Sequence, residues 1–352
     1  MILHNPLVPT ELFTNLISGK QRGLTAQCAR FALRVLAEPY SLAMRLRNLA
    51  FDAGWKKVHR VAVPVISIGN ITTGGTGKTP IVAATVKQLQ ALGRRPGIIS
   101  RGYRADSSGA NDEFRVLEQL CPGVPHVQLP DRIAAAEALL QDHDIDAIVL
   151  DDAMQHRRIH RDLNIALVDA TNPFGYGHTL PRGLLRESRS GLRRADLILV
   201  TRTDAVPDEI RESMVTEIQS LAPAAQVDCV GFVPQSLMSA DRTIQPSAML
   251  DGVPIFVVTG IGNPAAFVKT CEQLNANVIG HRFFPDHHHF SAEEWQQVTQ
   301  EATAANAKHI VVTQKDLVKL PANNTALAIL IEPWPQSMLA EALGKIGLSE
   351  MA

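Results

Sequence analysis

The stretch VAVPVISIGNITTGGTGKTPIVAATVKQLQALG, residues 61–93, decides the fold. Its opening run, VAVPVISIG, is short, apolar and β-branched, and reads as a buried strand. From Pro80 onward, IVAATVKQLQALG has helical spacing and stops at Gly93. A glycine-rich loop joins the two. Strand, loop and helix in that order make a phosphate-binding loop, in which successive backbone N–H groups turn toward anionic oxygens. Gly74, Gly75 and Gly77, with Thr76 among them, permit the dihedrals and the close approach that this needs. Lys78 is placed to neutralise the β- and γ-phosphates of a nucleotide, and Thr79 to offer a hydroxyl to Mg²⁺. The common pattern G-x-x-x-x-G-K-[ST] asks for glycine five residues before Gly77, where this chain has Thr72. That departure is the least demanding, since a side chain at the loop mouth can point outward.

Outward from the loop, apolar strands and helices alternate. RPGIIS (95–100) reads as a strand opening into the polar loop RGYRADSSGANDE, and IAAAEALLQDH (133–143) as a helix. DAIVLDD (146–152), LNIALVDA (163–170) and ADLILVTRTD (195–204) follow as strands, and IRESMVTEIQSLA (210–222) as a helix. This alternation predicts an α/β, mostly parallel sheet covered on both faces, with ligands at the carboxyl ends of its strands. A polar, proline-containing stretch from about Val233 to Pro254 reads as a link to a second, smaller α/β unit. There PIFVVTGIGNP (254–264), AAFVKTCEQLN, NVIGHRFF (277–284), a helix opened by the capping box Ser291 to Glu294, and HIVVTQKD (309–316) alternate again. The organisation expected is a segment at 1–60, a phosphate-loop core at 61–235 and a smaller carboxyl-terminal unit at 236–352.

A chain of 352 residues that is 45% hydrophobic buries a sizeable core, and its net charge of −1 gives no general attraction to nucleic acid. Cys28, Cys121, Cys229 and Cys271 lie far apart and form no C-x-x-C site, so they read as reduced thiols. The first residues, MILHNPLVPTELF, lack the pattern of a cleavable signal, and no long apolar stretch predicts a membrane-spanning helix. Between Lys20 and Arg60, however, nine basic residues face only two acidic ones and are interleaved with Phe31, Val35, Leu36, Leu42, Leu46 and Leu49. Such a segment suits either an interfacial helix on an anionic bilayer or a helix packed on its own domain with a solvated basic face.

Three further motifs carry chemistry. In IVLDDAMQH (148–156), Asp151 and Asp152 end an apolar strand beside the phosphate loop, followed by Gln155 and His156. Adjacent carboxylates repel, and a divalent cation on either is the economical explanation. In FFPDHHHF (283–290), consecutive histidines on an extended chain point in alternate directions, which favours acid–base work by one histidine over a metal cage. TRTD (201–204) resembles a guanine-reading N/T-K-x-D motif, with Arg202 in the lysine position, and sustains a rival reading as a GTP-dependent switch or metal chaperone. That rival leaves SRGYR, PRGLLRE and the basic amphipathic segment unexplained.

Taken in order, GNITTGGTGKTP, SRGYR (100–104), DDAMQH, DATNPFGYGHTLPRGLLRE (169–187), RRADLILVTR (193–202), GIGNP, FPDHHHF and VTQKD resemble the tetraacyldisaccharide 4'-kinase family over roughly residues 60–320. That family's loop also carries a non-glycine residue at the position of Thr72. The resemblance implies a phosphate-loop core with a smaller α/β domain closing over the active site, ATP and Mg²⁺ as cofactors, and an acylated glucosamine disaccharide 1-phosphate as acceptor at its 4'-hydroxyl. It also implies an amino-terminal helix on the anionic cytoplasmic face of the inner membrane, with no obligate protein partner evident.

Carried over residue by residue, Lys78 and Thr79 match the loop, Asp151 and Asp152 the paired aspartates, and Gln155 and His156 the rest of that motif. Arg186 and Glu187 match a phosphate-side arginine and its acidic neighbour, so that Thr79, Asp151, Asp152 and Glu187 form the implied metal-side set. The family's hydroxyl-activating aspartate and histidine fall on Asp112 of NDE (111–113) and on His287 or His288. Asp152 and Arg186 complete the implied catalytic set. Three departures stand out: Ala153 where the family has glycine, Gln314 where it has glutamate, and a short stretch from RGYR to NDE. None removes a group that phosphoryl transfer needs.

Overall fold

The protein's structure, a computed structural model, describes residues 11–102, 111–286 and 288–348. A short helix α1 (Glu11–Ile17) precedes the long α2 (Leu24–Asp52), and the strand–helix series then begins with β1 (Val65–Asn70) and α3 (Lys78–Ala91). It continues with β2 (Pro96–Ser100), α4 (Asp112–Leu120), β3 (His126–Gln128), α5 (Arg132–Asp142), β4 (Ala147–Asp151), β5 (Leu163–Asp169), β6 (Leu197–Thr201) and α6 (Asp208–Leu221). The remaining elements are β7 (Gln226–Ser239), β8 (Ile244–Pro246), β9 (Pro254–Thr259), α7 (Pro264–Gln273), β10 (Asn277–Phe283), α8 (Ala292–Ala304), β11 (His309–Thr313), α9 (Gln314–Leu317), β12 (Leu327–Trp334) and α10 (Ser337–Lys345).

The strands form one sheet in the order β10-β9-β11-β12-β7-β6-β5-β1-β4-β2-β3, with β8 on β7. Strands β1, β2, β4, β5 and β6 are buried along their whole length, as continuous apolar runs in a parallel sheet must be. The strand order reverses at β1, between β4 and β5, and again at β9, between β10 and β11. Each reversal opens a crevice at the carboxyl ends of the strands. The phosphate loop leaves the first crevice; the loop Gly260–Asn263 leaves the second.

Strand β7 joins the two halves. Its first residues pair with β6 in parallel, Leu197 with Gln226 through Thr201 with Val230, and its later ones pair antiparallel with β12, Trp334 with Gly231 through Leu327 with Ser239. The polar stretch expected to link the halves from about Val233 thus begins inside a strand. Alternating polar residues there, with Pro234 among them, hide a half-buried ladder from a reading based on apolar runs. One apolar core runs from Ile66 and Val149 through Val230 and Met238 to Val258 and Leu330.

Helix α2 presents two faces. Ala26, Ala37, Ser41 and Phe51 are buried against the body, whereas Phe31, Val35, Leu36, Leu42, Leu46 and Leu49 are exposed. One side of the helix is thus packed on its own domain, and the other exposes apolar side chains. Among the described residues, no helix is long and apolar enough to cross a membrane.

Candidate active site

Strand β1 ends at Asn70, and the loop that follows turns into α3 at Gly77, which has a left-handed backbone (φ 82°). A Cβ at Gly77 would lie 2.4 Å from the ring of Phe232 on β7, so conformation and space both demand glycine. Helix α3 has neither a side-chain cap nor an acidic residue in its first turn. Its free N–H groups and positive dipole end are open to an anion. The loop mouth differs from expectation. Thr72 is not turned outward: it is 6% exposed, forms an antiparallel bridge with Leu185, and accepts a hydrogen bond from Asn70 Nδ2 at 3.3 Å. Arg186 N donates to Ile71 O and Thr73 N to Leu184 O, both at 2.7 Å, so residues 71–73 are held extended, a conformation that suits a β-branched residue.

This bridge delivers Arg186 to the end of β4. Its guanidinium donates to both Asp152 oxygens at 2.8 Å, and Lys78 Nζ lies 3.6 Å from Asp152 Oδ1 and 3.4 Å from Asn70 Oδ1. Burial opposes charge on Asp152, but Lys78 and Arg186 outweigh it and hold its carboxyl down at about 2. Asp152 has a left-handed backbone (φ 52°), tolerable for aspartate. Asp151 is buried, its carboxyl is pushed up by desolvation and by the charge of Glu113 against the pull of Lys78, and its Oδ1 has no hydrogen-bond partner. Lys78, Arg186 and the buried Arg132 offset part of the repulsion between the paired aspartates, which leaves Asp152 held down while Asp151 is pushed up.

The donor set fits a metal ion. An orphaned buried carboxylate oxygen beside an open helix terminus, with Thr79 in the first turn of α3, offers hard oxygen ligands of the kind Mg²⁺ takes. No group of three His, Cys, Asp or Glu residues that could hold an ion occurs among the described residues. An octahedral ion there would draw most of its ligands from phosphate and water.

Glu187 is 1% exposed and fully engaged. Arg194 NH2 donates to its two oxygens at 2.8 and 2.7 Å, Gln155 Nε2 to Oε1 at 2.9 Å, and Asn48 Nδ2 to Oε2 at 2.9 Å. Asn48 belongs to α2, whose Tyr40 hydroxyl donates to Arg186 O at 2.7 Å and whose Arg47 donates to Gln155 O at 2.6 Å. The amino-terminal helix is therefore a wall of the site, and neither its composition nor its periodicity signals that. Gln155 ties the motif together by donating also to Asn70 O at 2.8 Å. His156 beside it is driven down to about 4 by burial and by Arg132, so its ring is neutral at neutral pH.

Asp112 is the first residue of α4, capped by Asn111, whose side chain accepts from Phe114 N at 2.8 Å. Gln128 Nε2 donates to Asn111 Oδ1 and to Ser100 Oγ, each at 3.1 Å, so the end of β2 and the residue before α4 are pinned together. His126 supports the pin, 2.9 Å from Ser100 Oγ and stacked on Phe114. Helix α4 packs on α9 of the VTQKD segment. There Asp316 is fully buried; it accepts from Thr259, Thr313 and Gly260 N at 2.7, 2.6 and 3.1 Å and pairs with Lys319 at 3.2 Å. Gly260 in turn lies against Pro285 O and His288 Cβ. Helix α9 thus touches α4, which carries Asp112, and through Asp316 bonds Gly260, which lies beside His288. His288 Nε2 sits 3.0 Å from Glu294 Oε2, and His287 lies outside the described residues.

Arg202 is committed to the loop. It pairs with Asp169 and donates to Gly75 O at 2.7 Å, while Thr201 Oγ1 donates to Thr76 O at 3.0 Å. The TRTD segment braces the phosphate loop through side chains that a guanine-reading motif would turn to the base. Sequence reasoning assigned no role to Asn70, Arg132, Arg194 or the α2 contacts, although Asn70 and Arg194 stand inside the quoted stretches GNITTGGTGKTP and RRADLILVTR.

The geometry agrees with comparison to known proteins. The family model for tetraacyldisaccharide-1-P 4'-kinase, LpxK, matches residues 29–345. The chain is 38% identical over 311 residues to a tetraacyldisaccharide 4'-kinase of an Anaeromyxobacter species, covering 84% of this chain and 82% of that one. It is 34% identical to the enzyme of that name from Geobacter sulfurreducens, over 96% and 99% of the two chains. The crystal structure of LpxK from Aquifex aeolicus in complex with ATP superposes with a TM-score of 0.73 at 26% identity, covering 90% of this chain and 99% of that one. A phosphate loop braced by Arg202, a Lys78–Asp152–Arg186 cluster and full-length similarity converge: this chain belongs to the tetraacyldisaccharide 4'-kinase family.

Proposed function

We propose that this chain transfers the γ-phosphate of ATP to the 4'-hydroxyl of an acylated glucosamine disaccharide 1-phosphate, the tetraacyl precursor of lipid A, with the residues above in the following roles. The observation that carries the assignment of roles is the ion-pair chain Lys78–Asp152–Arg186 beside the uncapped end of α3. Phosphoryl transfer needs alignment and charge compensation more than covalent participation. The loop amides and Lys78 grip the β- and γ-phosphates, and Arg186, held by Asp152, faces the transferred group. Asp151 and Thr79 would hold Mg²⁺, which would supply charge neutralisation for the transferring phosphoryl group. Glu187 acts as a positioning residue: its oxygens orient Arg194, Gln155 and Asn48, which argues against direct metal ligation. Asp112 accepts the hydroxyl proton with a histidine of 287–288 as partner, brought up as the carboxyl-terminal unit closes.

The exposed apolar face of α2, flanked by arginines, rests on the anionic cytoplasmic surface of the inner membrane and brings the glucosamine headgroup to the wall that α2 forms. The test is incubation with γ-labelled ATP and a lipid A disaccharide 1-phosphate in mixed micelles. Label on the lipid is expected, with ATP preferred over GTP. Label released only as inorganic phosphate, with GTP preferred, would restore the switch reading.

A further inference from the structure

Glu294 closes a capping box: Ser291 Oγ accepts from Glu294 N at 3.1 Å, and Glu294 Oε2 accepts from Ser291 N at 2.9 Å. The same Oε2 also meets His288 Nε2 at 3.0 Å. A cap alone would not need that second contact. The imidazole is constrained on one face and at its side as well, stacked on Phe284 with centroids 4.6 Å apart and flanked by the nearly perpendicular ring of Phe290 at 5.1 Å. Its backbone N donates to Pro285 O at 3.1 Å, and Gly260 leaves no spare room beside its Cβ. A ring held on one face, at its side and at one nitrogen, with 22% of its side chain still exposed, is built for a contact on its remaining side.

We propose that Glu294 is the positioning carboxylate of His288: it holds the Nε2 proton, fixes the tautomer and presents Nδ1 for proton uptake during hydroxyl activation. This rests on the reading that His288 is the histidine working with Asp112. A carboxylate behind an imidazole performs the same service wherever a histidine takes a proton from a hydroxyl. The proton leaves the sugar oxygen by way of Asp112 and arrives on Nδ1. The Nε2–H stays on the ring, and the imidazolium so formed is paired with Glu294. The sugar oxygen forms its bond to the γ-phosphorus as the bond to the ADP oxygen breaks. Other charges near the ring do not replace this pairing. Arg282 on β10 is engaged by Glu301 and lies over Phe284, Asp316 beneath Gly260 is neutralised by Lys319, and Asp286 precedes the ring in the same turn.

The chemistry of the box supplies a clean test, because glutamine completes a capping box as glutamate does but carries no charge. In the full chain, Glu294→Gln, Ser291→Ala and His288→Ala are compared by denaturation midpoint and by kcat against pH. Glu294→Gln is expected to keep the midpoint, move the acid limb of the kcat profile to lower pH, and reduce kcat several-fold. Ser291→Ala is expected to lower the midpoint and leave the kcat profile in place. An unmoved kcat profile in Glu294→Gln overturns the proposal and leaves Glu294 a cap. Full activity in His288→Ala removes the assignment of His288 itself, and with it this duty of Glu294, even where the profile moves in Glu294→Gln.

Discussion

Replacing Glu187 by glutamine separates two roles that its place in the sequence leaves joined. The carboxylate receives four hydrogen bonds from Arg194, Gln155 and Asn48 while 1% exposed. A glutamine there keeps one acceptor oxygen and turns an NH₂ toward side chains that are themselves donors. It also leaves the Arg194 guanidinium without its counter-charge. Breaking a buried ion pair by removing one partner costs about 3–5 kcal/mol. The lower end applies here, since the Arg194 side chain retains 17% exposure and can recover some hydration. A loss of about 3 kcal/mol is roughly a hundredfold in an equilibrium constant. The assay pairs urea denaturation with titration of Mg²⁺ in the kinase reaction. Expected are a clearly lowered urea midpoint, a reduced kcat through misplacement of Gln155 and Arg186, and an apparent Mg²⁺ affinity within about twofold of wild type. An unchanged midpoint with a Mg²⁺ requirement raised tenfold or more would refute the positioning role and make Glu187 a metal ligand.

Lys78→Ala or Thr79→Ala should lower lipid phosphorylation by at least about 10²-fold in a folded protein, and near-normal turnover in either would dismiss the loop assignment. Phe31→Glu with Leu42→Glu on the exposed face of α2 should reduce sedimentation with anionic vesicles while leaving ATP binding intact, because neither side chain faces the body. Deleting α2 should damage catalysis as well, since Tyr40, Arg47 and Asn48 would go with it; a truncated enzyme with unaltered kcat on soluble substrate would contradict the wall. His126 is half-buried, and desolvation drives its ring down to about 4. The unfolded chain therefore binds the extra proton between about 6.5 and 4, and stability contributed by the neutral ring is present above that window and lost as pH falls through it. His126→Gln should flatten this part of the stability curve; the same slope with and without the histidine would refute its contribution.

The phosphate loop was legible because its requirements are local. Glycines at 74, 75 and 77, a lysine and a threonine follow one another within a single turn, and the same short stretch sets both dihedrals and chemistry. Parallel strands are legible for a similar reason: burial on both faces forces continuous apolar runs, which expose β1, β4, β5 and β6 without reference to their partners. The family resemblance rests on the order of such local motifs. By contrast, β7 is half-buried and mixed in composition, so its antiparallel pairing with the apolar β12 and the single continuous sheet emerge only from the packed structure.

The division of labour between the two aspartates is tertiary too. Asp151 and Asp152 are identical and adjacent, yet one is pushed up by burial and the charge of Glu113 and the other held down at about 2 by Lys78 and Arg186. Those partners come from other elements, and Arg186 arrives through a bridge to Thr72 that no spacing rule contains. The same holds for Glu187, whose partners come from α2, from the turn after β4 and from the turn before β6. Residue types and short-range backbone geometry are written along the chain. Charge balance and positioning depend on which distant side chains the packed sheet brings within about 3 Å, the range over which a hydrogen bond acts.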